Sequence, residues 1–181
     1  MIINIGGGVI GLSLAFRLLS AGQAVTVVER AAIGQGASWA AAGYLEPTLT
    51  KSETAQVEWK SLQDWPQFVK EIEDCSGLDV DFQTRGQLRI AHAETEQAVR
   101  YDHDARMAAG WQVEGLSAPQ LRGLEPALSD KITWASHLPQ VSWVDDRKLF
   151  HSLGHGSDGY LRAPYYTEQL ANMILSPTEF G

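Results

Sequence analysis

Residues 5–29 read I-G-G-G-V-I-G-L-S-L-A-F-R-L-L-S-A-G-Q-A-V-T-V-V-E, and this order admits few folds. It predicts an apolar first strand ending at Ile5, a glycine turn, a helix over 9–21, a second strand over 25–28 and a carboxylate at Glu29. In such a crossover Gly6 permits the tight turn, Gly8 lets backbone approach a pyrophosphate, and Gly11 lets the helix pack closely on the sheet. Val9 and Ile10 open the helix, whose first N–H groups and positive dipole end favour a phosphate. Glu29, at the carboxyl end of the second strand, can accept hydrogen bonds from ribose hydroxyls and would repel a 2′-phosphate, so FAD or NAD is favoured over NADP. Gly22 suits the helix C-terminus. Leu12, Ala15, Leu18 and Leu19 mark the expected buried face. The alternative for the whole stretch is an ordinary βαβ start with no ligand.

The 181 residues suffice for one domain or one and a half, and an apolar fraction of 44% allows a substantial core. A formal net charge of −8, with no basic run, argues against nucleic acid and anionic membrane as partners. The single Cys75 cannot form an internal disulfide, which fits a reducing cytoplasm. The N-terminus lacks the basic start of a signal peptide, and no stretch has the uncharged length of a membrane span. The expectation is a soluble cytoplasmic protein.

Further along, residues 34–47 are small and glycine-rich, poor core material but suited to backbone passing close to a flat ligand. Leu62, Trp65, Val69 and Ile72 fall at helical spacing, and Pro66 suggests two helical pieces over 53–75, the second capped by Asp64. Short strands are expected over 80–82, 86–91, 132–136 and 141–144, and an exposed amphipathic helix over 94–109. Ser117 with Gln120 forms a capping box that starts a short helix ending near Leu124. Asp145 or Asp146 can cap a helix through Leu153, and a last helix is expected over 164–175.

The segments G-G-G-V-I-G-L-S-L-A, V-T-V-V-E-R and G-A-S-W-A-A-A-G, supported by G-Q-L-R-I-A at 86–91, L-E-P-A-L-S at 124–129 and V-D-D-R-K-L at 144–149, resemble the FAD-dependent D-amino-acid oxidase family, most closely the bacterial glycine oxidases of thiamine biosynthesis. The resemblance implies an α/β chain (α+β overall): a Rossmann-like FAD-binding βαβ unit with part of an antiparallel substrate-binding sheet, truncated. Residues 1–47 and 154–181 would form an incomplete FAD-binding domain. Residues 48–153 would form a partial substrate or cap domain with helices packing on it. Besides the turn and Glu29, Arg30 would lie at the cofactor, and Ser38, Ala41, Ala42 and Gly43 would run along pyrophosphate, ribityl chain and flavin. The segment 154–164 resembles the family's C-terminal flavin loop, which assigns Gly154, His155, Gly156, Ser157, Gly159, Tyr160 and Leu161 to the flavin pyrimidine edge. In the family a long stretch separates the V-D-D-R-K-L helix from this loop; here His151-Ser152-Leu153 runs straight into it, and Ser157 stands where the family commonly has an arginine.

The chemistry implied is oxidation of glycine, another small amino acid or a secondary amine to an imine, with oxygen as second substrate and hydrogen peroxide as product. It asks for orientation of the amine and no dedicated general base. Two alternatives stay open: a catalytically impaired or inactive nucleotide-binding remnant, which would self-associate into homo-oligomers through an open sheet edge, and an NAD-dependent dehydrogenase. Arg85 and Arg162 are the arginines that could reach a substrate. Trp39 and Tyr44 could line the flavin, while Trp65, Trp134 and Cys75 read as core. The five histidines form no metal-ligand pattern, and no metal is expected.

Overall fold

The computed structural model describes residues 1–50, 52–150, 167–168, 170–172 and 174–175. They fall into two compact units, Met1–Pro47, Gln56–Phe82 and Trp143–Gly181 in one, Thr48–Ala55 and Gln83–Ser142 in the other.

In the first unit, β1 (Ile2–Ile5) and β2 (Val25–Val28) pair in parallel, Ile2 opposite Val25 and Ile5 opposite Val28. Helix α1 (Val9–Ser20) joins them. It buries Val9, Ser13, Ala15 and Leu18, while Leu12 is half-buried. Leu19, expected in the buried face, is 56% exposed because it lies in the last turn, where Gly22 at φ +77° turns the chain back toward β2. The Gly22 and Gln23 amides donate to the carbonyls of Leu19 and Leu18, which satisfies the end of the helix.

Helix α2 (Glu53–Ser76) is one uninterrupted element, not two pieces. Asp64 is not a cap; it pairs with Lys60 one turn earlier. Pro66 removes an amide donor, at a cost of about 3 kcal/mol in a helix interior. The helix continues because Leu62, Trp65, Phe68, Val69 and Ile72 form one buried stripe across the proline, packed with Val9, Leu45, Val80, Val144 and Leu149. Burying each large side chain contributes about 1.5–3 kcal/mol, so the stripe outweighs the lost bond. Trp65 meets Phe68 edge-on at 5.7 Å and stacks on Phe82 at 6.3 Å. Cys75, read as core, is exposed: it follows the buried stripe in the last turn of the helix.

Gly77 at φ +69° ends α2, and Asp81 takes a left-handed φ of 54°. That conformation is incompatible with a strand, so residues 80–82 are irregular, with Val80 buried and its amide donating to the Glu73 carboxylate. The short β3 (Tyr44–Leu45) belongs to this unit.

The second unit holds β4 (Gln87–His92), α3 (Glu96–Ala108), β5 (Glu114–Ser117), α4 (Ala118–Leu124) and β6 (Ile132–Leu138). The sheet is antiparallel in the order β4-β6-β5. Strand β5 is not evident in the sequence, because Glu114, Gly115 and Ser117 carry little strand preference; pairing with β6 makes it. Leu116, Leu121, Ile132 and Ala135 form the core with Leu88 and Leu128. The capping box is present, the Ser117 amide donating to Gln120 Oε1 at 2.9 Å. Helix α3 is less exposed than its composition suggests: His103 is buried with Nδ1 2.8 Å from the Ser136 hydroxyl, and Arg106 is buried beside Asp102.

Strand β7 (Ser142–Trp143) pairs with β3, and α5 (Asp146–Phe150) follows. Asp145 caps α5, its carboxylate accepting from the amides of Arg147 and Lys148. The remainder of that helix call, residues 151–153, lies outside the described residues, as do 154–166; the described residues between 167 and 175 are helical.

Candidate cofactor-binding site

The glycine turn is built by backbone. The Gly6 amide donates to the Val28 carbonyl at 2.8 Å, and Gly6 takes φ +108°, a region that disfavours side chains. Gly11 is glycine for a steric reason: a Cβ there would lie 2.0 Å from the Gly6 carbonyl oxygen and 3.0 Å from Asn4 Nδ2. The close approach is therefore to the turn's own first residue and the end of β1. The Asn4 side chain ties the same place, donating to the Gly11 carbonyl at 2.7 Å.

Gly8 caps α1 in extended conformation without a side-chain hydrogen bond. Leu12 donates to the Gly8 carbonyl, so the amides ahead of it have no acceptor within the helix. They form an anion-binding end with no side chain of the cap in the way.

Glu29 sits where β2 ends. Its Oε2 accepts from the Gly7 amide at 2.8 Å and its Oε1 from the Ala31 amide at 3.1 Å. These bonds, Gly7's first and Ala31's second, hold its carboxyl below the ordinary glutamate range, so it is ionised at neutral pH. The Gly7 carbonyl in turn accepts from Gly34, whose φ of +73° turns the following loop back over the site. Between them lies a groove of about 270 Å³, lined by Gly8, Glu29, Arg30, Ala31, Ala32, residues 34–36 and Ser38.

Ser38 is buried in this groove, and the chain then leaves it. Ala41 packs against the first core. The Ala42 carbonyl accepts from Trp143 Nε1 at 2.6 Å, and the Gly43 carbonyl from the Val144 amide at 3.0 Å. Gly43, at φ +68°, approaches Val144 so closely that a Cβ would lie 1.9 Å from its carbonyl oxygen. Trp39 is 52% exposed, with the Arg147 guanidinium 5.6 Å from its ring centroid, and Tyr44 is exposed.

Of the residues singled out in the sequence, Gly8, Glu29, Arg30 and Ser38 line one groove, and Gly6, Val9, Ile10 and Gly11 form the turn and helix start at its edge. Ala41, Ala42 and Gly43 continue from it. Gly154, His155, Gly156, Ser157, Gly159, Tyr160, Leu161 and Arg162 lie outside the described residues. Arg85 belongs to the second unit, exposed at a concavity with Gly86, Leu88 and His137. Sequence reasoning missed Ala31, whose amide holds Glu29, and Trp143, whose only signal was its place immediately before V-D-D-R-K-L. Among the described residues there is no group of three or more His, Cys, Asp or Glu placed to hold a metal, and no helix long and apolar enough to cross a membrane.

A dinucleotide fits this donor set. The helix start offers amides to a diphosphate, Gly11 admits no Cβ, and an ionised carboxylate lines the same groove for a ribose.

Comparison with known proteins points the same way. A family model described as DAO, FAD dependent oxidoreductase, matches residues 2–164. The chain is 30% identical over 161 residues to a glycine oxidase of Bacillus licheniformis, covering 86% of this chain and 42% of that protein. It is 32% identical over 160 residues to a 4-methylaminobutanoate oxidase (formaldehyde-forming) of Paenarthrobacter nicotinovorans, covering 83% of this chain and 19% of that protein. The glycine oxidase structure from Bacillus cereus ATCC 14579 superposes with a TM-score of 0.72 at 26% identity, covering 94% of this chain and 44% of that one. The chain thus spans less than half the length of these relatives.

Proposed function

The chain belongs to the DAO family of FAD-dependent oxidoreductases, and from that membership we propose that it holds FAD in the groove of the first unit and serves oxidation of a small amine of the glycine-oxidase type. The observation that carries the proposal is the ionised Glu29 carboxylate, tied by the amides of Gly7 and Ala31 beside a helix start whose amides are open to a diphosphate.

In this reading the amides at Val9 and Ile10 take the pyrophosphate, and Glu29 accepts from the adenosine ribose. Arg30 borders the adenosine end, and residues 38–43 run toward the ring system. Bound FAD supplies a two-electron acceptor for the hydride leaving the amine's α-carbon, with oxygen as final acceptor and hydrogen peroxide as product. The protein's part is orientation and exclusion of water. Family membership makes the cofactor FAD rather than a nicotinamide. The substrate class follows from the glycine oxidases the chain resembles, and the methylaminobutanoate oxidase adds secondary amines to the candidates.

A second reading, cofactor binding without turnover, is favoured by the direct join of residues 153 and 154 and by Ser157 in place of an arginine that would anchor a carboxylate. Anaerobic addition of glycine or sarcosine to the FAD-loaded protein separates the two. Bleaching of the flavin band, and peroxide on readmitting air, is the expected result. A bound flavin that neither substrate bleaches would leave only the second reading.

A further inference from the structure

The segment that follows the second unit reaches back to the loop leaving the cofactor groove. Trp143 Nε1 donates to the Ala42 carbonyl at 2.6 Å, across 101 positions of sequence. The next residue closes the contact: the Val144 amide donates to the Gly43 carbonyl, and a Cβ on Gly43 would lie 3.3 Å from the indole nitrogen as well as against Val144. Val144 and Leu149 are fully buried and Asp145 caps α5, so the segment is anchored without the indole N–H. An indole has one donor, and here it goes to the loop.

The loop's direction gives this contact its meaning. Ser38 is in the groove with Gly8 and Glu29; the chain turns there, the Ala41 amide donating to the Ser38 carbonyl at 3.3 Å, and Ala42 follows outside the groove lining. Resting on the FAD reading above, we propose that Trp143 is a positioning residue. It fixes the course of residues 41–43 for the flavin half of FAD, while the ADP half is held independently by residues 6–11 and Glu29, none of which its hydrogen bond touches.

The test is a pair of titrations, ADP and FAD, on wild type and on Trp143→Phe, which keeps an aromatic ring but removes the donor and part of the indole's volume. Trp143→Phe should bind ADP as wild type does and FAD about tenfold more weakly, the loss of roughly one hydrogen bond. The visible circular dichroism of its bound flavin should also change. Retained ADP affinity shows that the variant is folded. Equal FAD affinity and an unchanged flavin spectrum would overturn the proposal, and so would equal loss for ADP and FAD. Wild-type protein that binds ADP but not FAD, or neither, would instead overturn the FAD reading, and the role of Trp143 with it.

Discussion

At the scale of single residues, two positions carry the nucleotide site, and each makes a prediction. Gly11 faces the Gly6 carbonyl oxygen, a backbone atom that cannot swing aside. Gly11→Ala should destabilise the protein by about 1–3 kcal/mol in urea and lower its uptake of FAD, since the turn must open to admit the methyl. Glu29 makes a pH-dependent prediction. Amide hydrogen bonds hold its folded-state carboxyl below the ordinary value of 4.5. A lowered carboxylate contributes stability that is complete above the unfolded value and is lost as pH falls through the folded one. The melting temperature of wild type should therefore exceed that of Glu29→Gln by a constant margin near neutrality, and the margin should shrink below about pH 4.5. A margin that grows on acidification would contradict the assignment. The sequence placed Glu29 correctly at the end of a strand, because strand–turn–helix spacing is local. It could not place Trp143 on Ala42, because nothing in the spacing records which of six tryptophans meets a loop a hundred residues earlier.

At the scale of elements, the same division between local and non-local physics holds. Helix α1, β2 and the capping box of α4 were legible because periodicity and side-chain-to-backbone bonds specify them within a few residues. Proline rules alone break α2 at Pro66, but tertiary burial of Trp65 and Phe68 on both sides of the ring overrides them. Pro66→Ala restores a donor for the Leu62 carbonyl and should raise stability by about 1–3 kcal/mol in chemical denaturation. No gain would mean that proline's restriction of the unfolded chain offsets its missing bond. Strand β5 and the irregular residues 80–82 failed in opposite directions: one gained strand form from its neighbour, the other lost it to the left-handed Asp81.

At the scale of the whole chain, the first unit carries a parallel pair of strands with Ile3, Ile5 and Val28 exposed, whereas parallel sheets are ordinarily covered on both faces. The chain also spans less than half the length of the glycine oxidases it matches. The nucleotide groove is built within this chain, because turn, helix start, Glu29 and the loop from Ser38 all belong to one unit. A crystal structure of the protein grown with FAD tests this most directly. The expected result is diphosphate density against the amides that open α1 and the adenosine ribose within hydrogen-bond distance of Glu29. Flavin bound elsewhere, or a groove closed over by residues 34–38 at saturating FAD, would contradict it.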